Sequence, residues 1–135
     1  MKNILLILAL ALAGPANLKL EVGESCDKNA NFRIDYFDVT PWPIQRTQEY
    51  VMTINGVFLE KEYLNQIYIG TKHNPGEWKY TYLEIKKDFS KNAVGNFTVK
   101  MQGPSVTGAY KDHITFHRRD FSYYACWQYD YVIDR

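Results

Sequence analysis

Residues 122–133 read SYYACWQYDYVI, and their reading decides the fold. Ala125, Trp127, Tyr129, Tyr131 and Ile133 alternate with Tyr124, Cys126, Gln128, Asp130 and Val132. A period of two places one set on each face of a β-strand, whereas a helix would scatter both sets around its circumference. Tyrosine and tryptophan suit that setting, because a pleated, half-buried surface takes their rings and leaves their polar tips a route to a partner.

The same period recurs upstream. AYKDHITFH at 109–117 sets Tyr110, Asp112, Ile114 and Phe116 opposite Lys111, His113, Thr115 and His117. NFTVKM at 96–101 groups Phe97, Val99 and Met101, and NQIYIGT at 65–71 sets Ile67 and Ile69 against Tyr68. EYVMTING at 49–56 groups Tyr50, Met52 and Ile54 and ends on Asn-Gly, which predicts a tight turn. FRIDYFDV at 32–39 runs through Phe32, Ile34 and Tyr36 and then slips to Phe37 and Val39, as a strand with a bulge does. WKYTYLEI at 78–85 groups Trp78, Tyr80 and Tyr82 before shifting to Leu83 and Ile85, which leaves its inward phase open. TPWPI at 40–44, HNPGEW at 73–78 and GPSVTG at 103–108 are corners and turns. The result is an all-β sandwich of about seven strands, and periodicity does not distinguish a filled interior from a hollow one.

A chain of 135 residues forms one domain, and its 46% hydrophobic content supports a core. The formal charge is +1, with basic and acidic residues interspersed, so no footprint for nucleic acid is present. MKNILLILALALAGPA at 1–16 reads as a signal peptide: Lys2 precedes a short apolar run, with cleavage expected after Ala13 or Ala16. The run at 4–12 is far shorter than the roughly 20 residues a membrane-spanning helix needs. Residues 17–135 then form the mature domain. In an oxidising compartment Cys26 and Cys126 allow one bridge, which closes a loop of about 100 residues. Asn96-Phe97-Thr98 is a sequon that fits the same compartment and makes Asn96 a glycosylation candidate.

Few side chains suggest chemistry. His113 and His117 would stand about 13 Å apart along a strand at roughly 3.3 Å per residue, too far to share an ion, so they read as surface histidines and no metal site is expected. No Gly-x-Ser-x-Gly elbow or other nucleophile with a base is present, so no catalytic residues are expected and the chain reads as a non-enzyme without a cofactor. Asp112 is the exception, a carboxylate on an apolar phase. The expectation is that it sits near a strand end in contact with water, in preference to facing a ligand.

The two ends of the chain carry a resemblance. SCDKNANFRIDYFDVTPWPI, GPSVTGAYKDHITFH and ACWQYDYVI are similar, in that order, to the opening, penultimate and closing strands of the ML (myeloid-differentiation-related lipid-recognition) family: a cysteine strand, a proline corner, a strand entered through Gly-x-Tyr, and a second cysteine strand. The resemblance covers residues 24–133 and is weakest from 56 to 95. It implies an immunoglobulin-like two-sheet β-sandwich with a lipid cavity between the sheets, and a Cys26–Cys126 disulfide. The cavity-facing phases it implies comprise Ala125, Trp127, Tyr129, Tyr131 and Ile133 of the closing strand, with Tyr110, Asp112, Ile114 and Phe116 of the one before. Ile34, Tyr36, Tyr50, Met52 and Ile54 would join from the first strands, and Ile67, Ile69, Phe97 and Val99 by pattern. The chain lacks the extra disulfides of many members, so ligand class does not carry over.

The function so implied is binding or transfer of a sterol, phospholipid or glycolipid by a monomer that is secreted or resides in an endolysosomal lumen, with transient membrane or receptor contact. The alternative is a secreted immunoglobulin-like adhesion or carbohydrate-binding module with a filled core and aromatic residues on its surface.

Overall fold

A computed structural model describes residues 22–134, so the segment read as a signal peptide lies outside the described residues. The described chain forms eight strands: β1 (Glu24–Ser25), β2 (Phe32–Thr40), β3 (Glu49–Phe58), β4 (Glu62–Asn74), β5 (Trp78–Phe89), β6 (Val94–Gln102), β7 (Gly108–His117) and β8 (Tyr123–Ile133). They make two antiparallel sheets, one ordered β1-β8-β7-β4-β5 and the other β2-β3-β6. The fold is the expected all-β sandwich. Its eighth strand, β1, has two residues and is too short for any periodicity to reveal.

The interior is assembled from the alternating positions. Tyr50, Met52 and Ile54 of β3 and Ile67 and Ile69 of β4 are buried, as are Ile114 and Phe116 of β7 and the alternate residues of β8. The sheets touch through rings: Phe32 stacks on Phe116 with centroids 4.8 Å apart, and Phe37 stacks on Trp127 at 5.3 Å. Phe97 meets Phe116 edge-on at 5.4 Å. Such offset and edge-to-face pairs add to the stabilisation from burial. The middle of the sandwich is therefore filled by side chains.

One local expectation is revised, one is borne out and one open phase is resolved. Asn55-Gly56 is not a turn, because β3 runs straight through it to Phe58. A Cβ at Gly56 would meet the Arg33 carbonyl and the Phe32 ring, so this glycine serves close strand contact. On β2 the register shifts between Ile34 and Tyr36, after which Phe37 and Val39 face inward. On β5, Thr81 and Leu83 pair with inward-facing Ile69 and Ile67, while Tyr80 and Tyr82 pair with Gly70 and Tyr68. Trp78, Tyr80 and Tyr82 therefore lie on the outer face.

The two long sides of the sandwich differ. On one, the segment before β1 bridges the sheets: the Val22 N–H donates to the Phe37 carbonyl of β2, and Trp127 Nε1–H of β8 donates to the Val22 carbonyl at 2.7 Å. The Cys26–Cys126 disulfide adds a covalent tie from the start of the domain to β8. On the other side β5 and β6 are the edges of different sheets and share no ladder. Half-buried apolar residues fringe that side: Leu83 and Phe89 from β5, Ala93 from the turn, and Met101 from β6.

Candidate functional site

Of the residues expected to line the inter-sheet space, all but Ile34 and Tyr36 are buried. Ile34 packs half-buried against the core, and Tyr36 lies half-buried beyond the register shift, paired with Asn55. Asp112 apart, the rest form one continuous interior with Phe37, Val39, Phe58 and Leu64. Sequence reading passed over these four. For Phe37 and Val39 the slip of phase within FRIDYFDV was the available signal.

Asp112 overturns its expectation. It is fully buried, with 0% of its surface exposed, and its carboxylate accepts four hydrogen bonds. Tyr50 Oη–H and Tyr129 Oη–H donate to Oδ2 at 2.8 Å each, Tyr131 Oη–H to Oδ1 at 2.9 Å and Thr71 Oγ1–H to Oδ1 at 2.8 Å. Tyr50 comes from the three-stranded sheet and the other donors from the five-stranded one, so Asp112 pins the sheets together. Burial raises the Asp112 pKa above the ordinary carboxylate value, and the four hydroxyl bonds oppose that rise. Burial and the neighbouring carboxylate push Tyr50, Tyr129 and Tyr131 upward in turn. The aromatic density of the last strand thus supplies two of the donors that make a buried carboxylate tolerable.

Beside this cluster the inter-sheet space opens. A cleft of about 330 Å³ lies between Thr71, His73, Lys79 and Thr81 of β4 and β5 and the stretch from Gln102 to Val106 that ends β6 and leads to β7. Thr71 belongs both to the cleft wall and to the Asp112 cluster, and Tyr110 lines the cleft as well. The cleft is therefore lined by hydroxyl and charged groups together with Pro104, Val106 and Tyr110.

The histidines are not simple surface groups. His117 is buried, 8% exposed, and its ring stacks on Tyr68 with centroids 3.8 Å apart. Its Nδ1 faces the Phe121 carbonyl at 2.9 Å and must donate, so Nε2 accepts from the Thr115 hydroxyl at 2.7 Å, which fixes one neutral tautomer. Burial lowers the pKa of both His117 and His113. His113 Nε2 lies 3.0 Å from Cys126 Sγ, and the side-chain donors of Cys26, Cys126 and His113 form one cluster. The two sulfurs are joined in the disulfide, so this cluster offers a metal no thiolate. Asn96 is exposed on β6 and accepts a hydrogen bond from Asn55 Nδ2 at 2.6 Å.

No protein-family model matches the chain, and no curated protein matches it. Solved structures do. A Niemann–Pick type C2 protein from the Japanese carpenter ant is similar with a TM-score of 0.64 at 10% identity, over 84% of this chain and 100% of that one. The C-terminal domain of wzt is similar with a TM-score of 0.61 at 13% identity, over 84% of this chain and 76% of that one. An alkylpurine DNA glycosylase from Pseudomonas fluorescens reaches 0.57 at 9% identity, over 78% of this chain and 31% of that one. At such identities the likeness is one of fold: this chain is a two-sheet sandwich like the carpenter ant protein, and one architecture hosts unrelated functions.

Proposed function

We propose that the protein binds a lipid, taken up between its two sheets from the side where β5 and β6 face each other without a ladder. The observation that carries this reading is the cleft at that side, lined by the hydroxyls of Thr71, Thr81 and Ser105 together with Pro104, Val106 and Tyr110. A volume of about 330 Å³ is at the small end of ligand sites, so it holds a headgroup or the first part of a chain. Since the centre is filled, the remainder of the ligand enters as the unladdered edges part. Transfer of apolar surface out of water at about 25 cal/mol per Å² drives the exchange, less the cost of association and of displacing core contacts. Thr71, Tyr110 and the other hydroxyls of the cleft orient the headgroup, and no covalent step occurs. The fold shared with the carpenter ant Niemann–Pick type C2 protein and the disulfide support the reading, and the latter suits a secreted or luminal protein.

Native mass spectrometry of the secreted protein, with uptake of fluorescent sterol and phospholipid, tests it. One lipid per chain is expected, with uptake lost in Met101→Arg, which places a charge at the half-buried fringe. A chain that carries no lipid and takes up neither probe sinks the reading.

A further inference from the structure

The outer face of the five-stranded sheet presents a second surface of definite chemistry. Tyr80 and Tyr82 are 51% and 53% exposed there, beside half-buried Trp78 and Tyr68. From β5 to β8 two central cross-strand rows carry no carboxylate, lysine or arginine: Tyr82, Tyr68 and Thr115 in one, and Tyr80, Gly70, His113 and Gln128 in the next, which ends at the edge strand in Glu24. Gly70 gives the surface its shape. A Cβ there would lie 2.9 Å from Tyr80 Cε1 and 3.0 Å from Trp78 Cε3, so the glycine leaves the space that both rings occupy. The Trp78 and Tyr80 rings are within 22° of parallel, with centroids 6.3 Å apart. Charged groups flank these rows: Lys111 pairs with Asp130 at 3.1 Å, Glu84 with Gln66 and Lys86, and Lys72, opposite Trp78, holds its Nζ 6.0 Å from the centre of the Trp78 ring.

We infer that this face is a binding site for a neutral glycan, with pyranose rings laid on Trp78, Tyr80 and Tyr82. The chemical match decides the occupant. A pyranose has an apolar face whose C–H groups carry partial positive charge, complementary to the negative face of an aromatic ring. Its edge carries hydroxyls, which the Tyr hydroxyls, Gln128 and Gln66 can meet as donors or acceptors. An anionic nucleic acid or a charged membrane surface would call for unpaired cations across the face, and the central rows have none. Asn96 projects from β6 in the other sheet, so a glycan attached there would leave this face free. The inference is independent of lipid uptake, which uses the inner face.

Saturation-transfer NMR and tryptophan-fluorescence titration of the oxidised chain with cellohexaose, chitohexaose and mannohexaose form the test. Saturation transfer to at least one oligosaccharide is expected, and Tyr80→Ala/Tyr82→Ala should weaken its binding by about tenfold or more. Both tyrosines are half-exposed, so melting temperature and fluorescent lipid uptake should stay at wild-type values in that variant. Absence of transfer at millimolar saccharide overturns the inference, as does equal binding by wild type and variant. Concentration-dependent dimerisation, or binding to phosphatidylcholine vesicles, that the same variant abolishes without any saccharide signal would overturn it in favour of another occupant.

Discussion

Replacing Asp112 with alanine removes the one acceptor shared by four hydroxyls. Thr71 and Tyr131 border clefts and can turn to water. Tyr50 and Tyr129 are 1% and 4% exposed and have no such exit. Two stranded donors at about 1–3 kcal/mol each would cost about 2–6 kcal/mol, and relief from burying a carboxylate returns part of this, for a net loss of about 2–4 kcal/mol. At roughly 4 °C per kcal/mol for a domain of this length, the melting temperature should fall by about 8–16 °C. Urea unfolding followed by circular dichroism measures the loss. The pH dependence adds a second reading. Because the folded carboxyl has a raised pKa, the folded state holds its proton where the unfolded chain has released it. Stability from this group is greatest below the ordinary value of 3.8 and declines as pH rises through the raised folded value. Asp112→Asn should remove that component of the profile. A loss below about 0.5 kcal/mol for Asp112→Ala, with an unchanged pH profile in Asp112→Asn, would refute the account of a buried, hydroxyl-held carboxylate.

His113 and His117 titrate below the ordinary 6.5 in the folded chain, so the unfolded chain takes up their protons first. Their contribution is complete above 6.5 and is lost as pH falls toward their folded values; melting temperature should drop between pH 7 and pH 5.5, with a shallower slope in His113→Gln/His117→Gln, and an equal slope would contradict the assignment. Tyr124 Oη is buried without a partner, so Tyr124→Phe should leave stability unchanged or raise it by up to about 1 kcal/mol, whereas Tyr50→Phe should lower it by about 1.5–3 kcal/mol; equal losses would break the distinction. Cys26→Ser/Cys126→Ser opens a loop of 100 residues and should cost about 4.7 kcal/mol in the chain-entropy view, read by urea unfolding; a loss under about 1 kcal/mol would show that local contacts alone hold the ends.

The strands were legible because a sandwich needs alternate residues inside, and SYYACWQYDYVI states that alternation from Ala125 to Ile133, while Tyr124, on the other phase, is turned into the core by a register shift against β7. Asn55-Gly56 misled because the dipeptide also fits a strand where another backbone and a ring approach closely. Tyr36 misled because its phase reverses at the register shift, and only a cross-strand partner reveals on which side of such a shift a residue falls. Asp112 was visible as an anomaly, but its donors come from three other strands up to 62 residues away, and no local pattern records that convergence. The outer aromatic face was present in WKYTYLEI as a period without a direction; pairing with Tyr68 and Gly70 supplies the direction.

The bonds that close the sandwich are unevenly distributed, as in a book bound at its spine. Val22 and Trp127 hydrogen-bond from sheet to sheet at the β2–β8 side, where the disulfide also fastens the start of the domain to β8, while along the fore-edge β5 and β6 share only their connecting turn and half-buried side chains, with no ladder. Resistance to global unfolding and ease of opening therefore belong to different parts of the molecule. Amide exchange should be fast along the facing edges of β5 and β6 and slow around β8, even in a chain with a high melting temperature. Mutations at the spine would then change how long the protein lasts, and mutations at the fore-edge how quickly it turns its page.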